Sequence, residues 1–174
     1  VKLKDVEFNV ISENGNVLET IKTDENGEAT TREYILRDNE NLVLQETKTN
    51  ESYALNETPI KVKLEANQIT NVIFENEKIK GKVEITKISA DDNKLTGDKK
   101  GTPLANVVFE IYNDKDEILE TLTTDENGKA TSSILEYGKY YIKEKDTNSE
   151  NYLLNTNKYE FEIKEHMKTV PVTI

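Results

Sequence analysis

Leu18–Thr30 reads LETIKTDENGEAT, and the chain writes it again from Leu119 to Thr131 as LETLTTDENGKAT. The copies differ only at Ile21/Leu122, Lys22/Thr123 and Glu28/Lys129, too few changes over too long a run for coincidence. The chain is an internal duplication. Asp24 and Asp125 stand 101 residues apart (125 − 24), which in a chain of 174 residues calls for two units. Each copy reads as strand, tight turn, strand. Asp24-Glu25-Asn26-Gly27 and Asp125-Glu126-Asn127-Gly128 supply an Asx start, an Asn tolerant of left-handed backbone and a Gly that takes positive φ without steric cost. β-branched and apolar residues flank both turns.

Working outward, Val6, Phe8 and Val10 alternate with polar residues, and Val107, Phe109 and Ile111 repeat them at the same displacement. Further strands are expected at Asn16–Lys22 and Glu117–Thr123, Glu28–Ile35 and Lys129–Leu135, Leu42–Thr47 and Tyr140–Lys145, and around Ile60–Leu64 and Tyr159–Ile163. Each unit closes with one more, Thr70–Asn76 and Thr169–Ile174. Tyr53-Ala54-Leu55-Asn56 matches Tyr152-Leu153-Leu154-Asn155. No stretch has a helical period. Lys82–Ser89 is an extra first strand that only the second unit has. It is followed by a polar loop, Ala90–Pro103, with Gly97, Gly101 and Pro103. The first unit begins at Val1, the equivalent of Thr102, and lacks that strand. A chain that starts without Met is expected to be a piece of a longer protein.

Composition narrows the function. A net charge of −11 and a pI near 4.7 speak against nucleic acid, which needs clustered Lys and Arg. The charge suits an exposed β protein kept soluble by repulsion. Without Cys there is no disulfide, thiol nucleophile or zinc-thiolate site. No apolar run is long enough for membrane insertion, and no signal peptide is expected within these residues. The Asp24–Glu28 turn and its twin lack the distant bidentate Glu of a calcium loop, so a hairpin turn is expected and no metal. His166, the single histidine, is a poor basis for a catalytic triad. The tyrosines read as core and corner residues, and no enzyme is expected.

Strand parity gives the sharpest clue. Val83, Ile85 and Lys87 share one face; so do Tyr140, Ile142 and Glu144, Leu42, Leu44 and Glu46, and Val72, Phe74 and Asn76. Polar groups aimed at an apolar interior cost several kcal/mol, roughly 2–7, unless compensated. The bland alternative is that they sit at strand ends and reach water.

The ordered series GKVEITKIS, PLANVVFEIY, TTDENGKAT, LEYGKYYIKE and, in the first unit, VIFENEK resembles tandem Cna B-type (SpaA-like) domains of Gram-positive cell-wall-anchored adhesins and pilins. The resemblance covers the whole chain. It implies an all-β architecture of two tandem β-sandwich domains, prealbumin-like or inverse immunoglobulin-like. Residues 1–78 would be a domain lacking its N-terminal strand, and residues 81–174 one cut short at its C-terminus. It also implies a self-formed Lys–Asn isopeptide bond between first and last strands, assisted by a buried acid. Lys87 matches the lysine, Glu144 and Glu46 the acid, and Asn76 the asparagine. The chemistry needs a neutral amine and a protonated carboxyl, which burial favours, and no cofactor. Neither unit holds all three residues. Lys2 and Lys4 align with the loop before Val6 rather than with Lys87, and an Asn for the second unit would lie two residues past Ile174. No intramolecular bond is therefore expected within residues 1–174.

The expected role is a structural spacer in an adhesin or pilin at the cell surface, wall-anchored through its parent protein. The alternative is a module that itself binds a host matrix ligand such as collagen or fibrinogen. Expected partners are neighbouring repeats of the same chain, a host matrix protein through the parent, and another copy by strand exchange at the sheet edge opened by the missing strand.

Overall fold

A computed structural model describes residues Val1–Ile174, and every regular element in it is a strand. Two compact units divide at Lys78/Ile79: unit 1 is Val1–Lys78 and unit 2 is Ile79–Ile174. The chain is all-β.

In unit 1, β1 (Glu7–Ser12), β2 (Val17–Lys22), β3 (Asn41–Lys48) and β4 (Ile60–Lys63) form an antiparallel sheet in the order β2-β1-β3-β4. Unit 2 opens with β5 (Lys80–Thr86) and then builds the same sheet from β6 (Val108–Asn113), β7 (Ile118–Thr123), β10 (Gly138–Asp146) and β11 (Tyr159–Ile163), in the order β11-β10-β6-β7. The period-2 pattern decides which side is inside: Val6, Phe8, Val10 and Leu42 are buried in unit 1, and Phe109, Ile111 and Ile142 are fully buried in unit 2.

A second sheet covers that apolar face in unit 2. β5 runs through its middle, parallel to β12 (Thr169–Thr173) and antiparallel to β8 (Lys129–Thr131) and β9 (Leu135–Glu136). Val83 and Ile85 on its inner face are fully buried. Unit 2 is thus a two-layer sandwich.

Unit 1 differs from the expectation here. Glu28–Ile35 and Thr70–Asn76 are the counterparts of β8, β9 and β12, yet neither forms a ladder. The reason is physical: in unit 2 these segments pair with β5 and not with one another, so without a β5 equivalent they have no strand with which to form a ladder. They form no regular element, and the Phe74 ring lies 4.7 Å from that of Phe8. Cover is incomplete. Leu44 and Ala29 are half-buried, where their counterparts Ile142 and Ala130 are buried.

The duplicated turns are superposable in their bonding. Asp24 Oδ1 accepts the N–H groups of Asn26 (2.8 Å) and Glu28 (3.0 Å), and Asp125 Oδ1 those of Asn127 (2.9 Å) and Lys129 (2.8 Å). Gly27 and Gly128 take φ of 71° and 68°. At Gly128 an added Cβ would meet the Lys87 carbonyl oxygen at 2.4 Å, whereas at Gly27 the nearest atoms are the Leu3 nitrogen and the Lys2 Cβ, at 3.1 and 3.2 Å. The difference is the first strand itself.

These turns make the fold acid-sensitive. Backbone N–H donors, that of Glu28 first for Asp24 and that of Lys129 first for Asp125, hold both carboxyls below the usual aspartate range; bonds from Lys22 to Asp5 and from Tyr141 to Asp116 do the same there. A carboxyl whose pKa is lowered by folding stabilises above its unfolded pKa and loses that contribution as pH falls through the folded value. Stability is expected to hold from neutrality to about pH 4 and to decline below it. Thermal melts across that range check this; a midpoint that does not fall between about pH 4 and pH 2.5 would contradict it.

Candidate functional site

Each unit carries one carboxylate among the apolar residues of its inward sheet face. Glu46, on β3, is 2% exposed, and Glu144, on β10, is 5% exposed. Both follow the inward parity of an apolar strand, and both are held in the same way: Oε1 of Glu46 accepts the Asn56 backbone N–H at 3.1 Å, and Oε1 of Glu144 accepts that of Asn155 at 3.1 Å. The holding segments are themselves pinned. Asn56 Oδ1 accepts the Thr58 N–H and Asn155 Oδ1 the Asn157 N–H, each at 3.1 Å. The match between the Tyr53–Asn56 and Tyr152–Asn155 stretches was the sequence signal for this device. Its role, a main-chain donor aimed at a buried acid, was not readable from residue types.

The remaining site residues divide between the units. In unit 1, Asn76 Nδ2 donates to Glu46 Oε1 at 2.7 Å and to the Ala54 carbonyl at 3.1 Å. Its amide nitrogen is thereby fixed against the acid. Glu46 Oε2 is buried and has no hydrogen-bond partner. Lys2 and Lys4 do not reach it: they lie exposed, 3.9 Å from Glu28 and 3.0 Å from Glu25 respectively.

In unit 2, Lys87 follows β5 directly and is 8% exposed. Its Nζ lies 2.9 Å from Glu144 Oε2, an ion-pair contact and the only polar partner of that oxygen. No carboxamide accompanies this pair. Glu46 and Asn76 are together in unit 1, Lys87 and Glu144 together in unit 2, and the strand-end alternative is set aside for the three charged residues by their burial. Each unit therefore brings together two of the four residues singled out in the sequence.

Unit 2 also has a built outer face. The rings of Tyr112 and Tyr141 stack at 4.7 Å and 4°, with Lys158 Nζ 4.2 Å from the Tyr141 centroid. Burial, then the bond to Asp116, pushes the Tyr141 phenol up to about 12. The surface depressions beside it are open and of mixed polarity, lined among others by Asp114, Lys139 and Glu160.

Comparison with known proteins gives a consistent relationship. The family described as SpaA, prealbumin-like fold domain, matches residues 1–78 and again 81–174. The Bacillus anthracis TIE protein has a similar structure, with a TM-score of 0.73 at 31% identity over 99% of this chain and 30% of that one. The trypsin-resistant surface T6 protein of Streptococcus pyogenes serotype M6 is 39% identical over 59 residues, 34% of this chain and 11% of that protein. The chain spans less than a third of either relative.

Proposed function

Because this chain belongs to the family of SpaA prealbumin-like fold domains, we propose that it is a spacer segment of a Gram-positive surface protein, built from modules designed to be welded between first and last strands. The observation that carries this reading is the buried acid repeated in both units, with an amide nitrogen placed on it in one and an ammonium in the other. Two such matched burials of costly groups need a common purpose. The depressions of unit 2 are open to solvent and carry charged side chains such as Asp114, Lys139 and Glu160 without an enclosed apolar pocket, which favours a spacer over a ligand-binding module.

In a complete cluster the lysine amine attacks Cγ of the asparagine. The Nζ–Cγ bond forms, the Cγ–Nδ2 bond breaks, and a proton from the amine reaches Nδ2 through the carboxyl, so that ammonia leaves. Fixed neighbours supply the acceleration. Extracellular placement on the cell wall, through the parent protein, follows from the same reading.

Residues 1–174 alone are expected to show their full sequence mass. With a copy of residues 80–101 placed ahead of Val1, the chain should become about 17 Da lighter, one ammonia, and remain at full mass when Asn76→Ala or Glu46→Ala is added. A deficit in the unextended chain, or none in the extended one, would sink the weld.

A further inference from the structure

The carboxamide of Asn76 is held in one orientation, and a main-chain carbonyl decides which. Its Nδ2 donates to Glu46 Oε1 at 2.7 Å and to the Ala54 carbonyl oxygen at 3.1 Å. A backbone carbonyl only accepts. Turned over, the side chain would set its own oxygen against that carbonyl and against a carboxyl oxygen, so the nitrogen is the end that faces the acid.

The stretch Tyr53–Asn56, which supplies the carbonyl, is fastened along the segment that carries Asn76. The Ala54 N–H donates to the Glu77 carbonyl at 2.8 Å, Tyr53 bridges to Lys78, and Asn56 Nδ2 donates to the Glu75 carbonyl at 3.1 Å. Asn56 joins all the parts. Its main-chain N–H holds the acid, its Oδ1 closes the turn on the Thr58 N–H, and its Nδ2 holds the residue next to Asn76. Unit 2 shows which of these three bonds belongs to unit 1 alone. Asn155 repeats the first two, each at 3.1 Å, but its Nδ2 donates to the Tyr159 hydroxyl at 2.6 Å, and Ile60 stands in the place of Tyr159 in unit 1. Holding the acid therefore does not require the bond to Glu75.

We propose that Asn56 is a positioning residue of the acid–amide pair: by gripping the Glu75 carbonyl it fixes where the next residue lies, so that the Asn76 nitrogen meets Glu46 and Ala54 together. Its meaning for the reaction rests on the weld. With the acid at Nδ2, the proton given up by the attacking lysine amine is delivered to the nitrogen that leaves, as the Nζ–Cγ bond forms, the Cγ–Nδ2 bond breaks and ammonia departs. The positioning itself needs no covalent step.

Two substitutions separate positioning from turn-making. Asn56→Ala removes both side-chain bonds, whereas Asn56→Ser keeps a hydroxyl that accepts the Thr58 N–H and is too short for the Glu75 carbonyl. In the 174-residue chain, proton exchange of the Asn76 side-chain amide, followed by NMR, should quicken at least ~5-fold in both variants, while the backbone amides of Phe8 and Val10 keep their parent rates. In the chain with a copy of residues 80–101 ahead of Val1, both variants should lose about 17 Da at least ~10-fold more slowly. Parent-like exchange in Asn56→Ala, recovery of either readout in Asn56→Ser, an increase shared by Phe8 and Val10, or quickened exchange with an unchanged rate of mass loss would each overturn the proposal. If the extended parent chain never loses ammonia while the Asn76 amide responds as expected, the weld falls and the positioning stands.

Discussion

Glu144→Ala is expected to lower the unfolding temperature of unit 2 by more than about 10 °C. The substitution leaves the Lys87 ammonium 8% exposed beside an apolar interior with no counter-charge, and strips the Asn155 N–H of its acceptor. Breaking one side of a buried ion pair costs about 3–5 kcal/mol, and in a domain of this size each kcal/mol moves the midpoint by roughly 4–8 °C. Removing both partners is different. Lys87→Met with Glu144→Leu keeps volume without an orphaned charge, so the double variant should recover most of the loss. Circular-dichroism melts of the three chains decide it. If Glu144→Ala melts within about 2 °C of the parent, the pair is not the internal feature described above.

Ile85→Asp should do more damage still. Ile85 is fully buried in the C-terminal half of β5, opposite Val172 of β12 and Ala130 of β8, and β12, β8 and β9 are all attached to their sheet through that one strand. An unpaired carboxylate there belongs to the small class of substitutions that exceed about 4 kcal/mol. The expected product is a unit 2 that resembles unit 1: residues 108–123 and 138–163 still paired, residues 129–136 and 169–173 without ladders. Hydrogen exchange on the variant reads this directly, as lost protection confined to the second sheet. Uniform loss across both sheets would show instead that the two layers of unit 2 do not separate. Ile85→Val, which removes a single methylene, should cost only about 0.5–1.5 kcal/mol.

The duplication and the in-out alternation carried most of the fold because both are local. Thirteen residues written twice located the hairpins, and period 2 assigned Phe8, Val10, Phe109 and Ile111 to the interior, where they are. What failed was pairing. Thr70–Asn76 has as good a strand pattern as Thr169–Ile174, yet only the latter forms a ladder, since a strand is defined by its neighbour and the neighbour is β5. The same limit applies to the candidate site. Parity picked out Lys87, Glu144, Glu46 and Asn76 from their own strands, but the clamp on each acid comes from the backbone of Asn56 and Asn155, whose side chains are turned to other work. A main-chain donor leaves no residue-type signature.

The parallel run of β5 beside β12 also decides how unit 2 answers tension. Lys80 leads into one strand and Ile174 follows the other, so traction at these two points pulls the pair lengthwise in opposite directions. Every rung from Lys82–Thr169 to Thr86–Thr173 then resists together, in shear, where antiparallel neighbours gripped at a common end would unzip in succession.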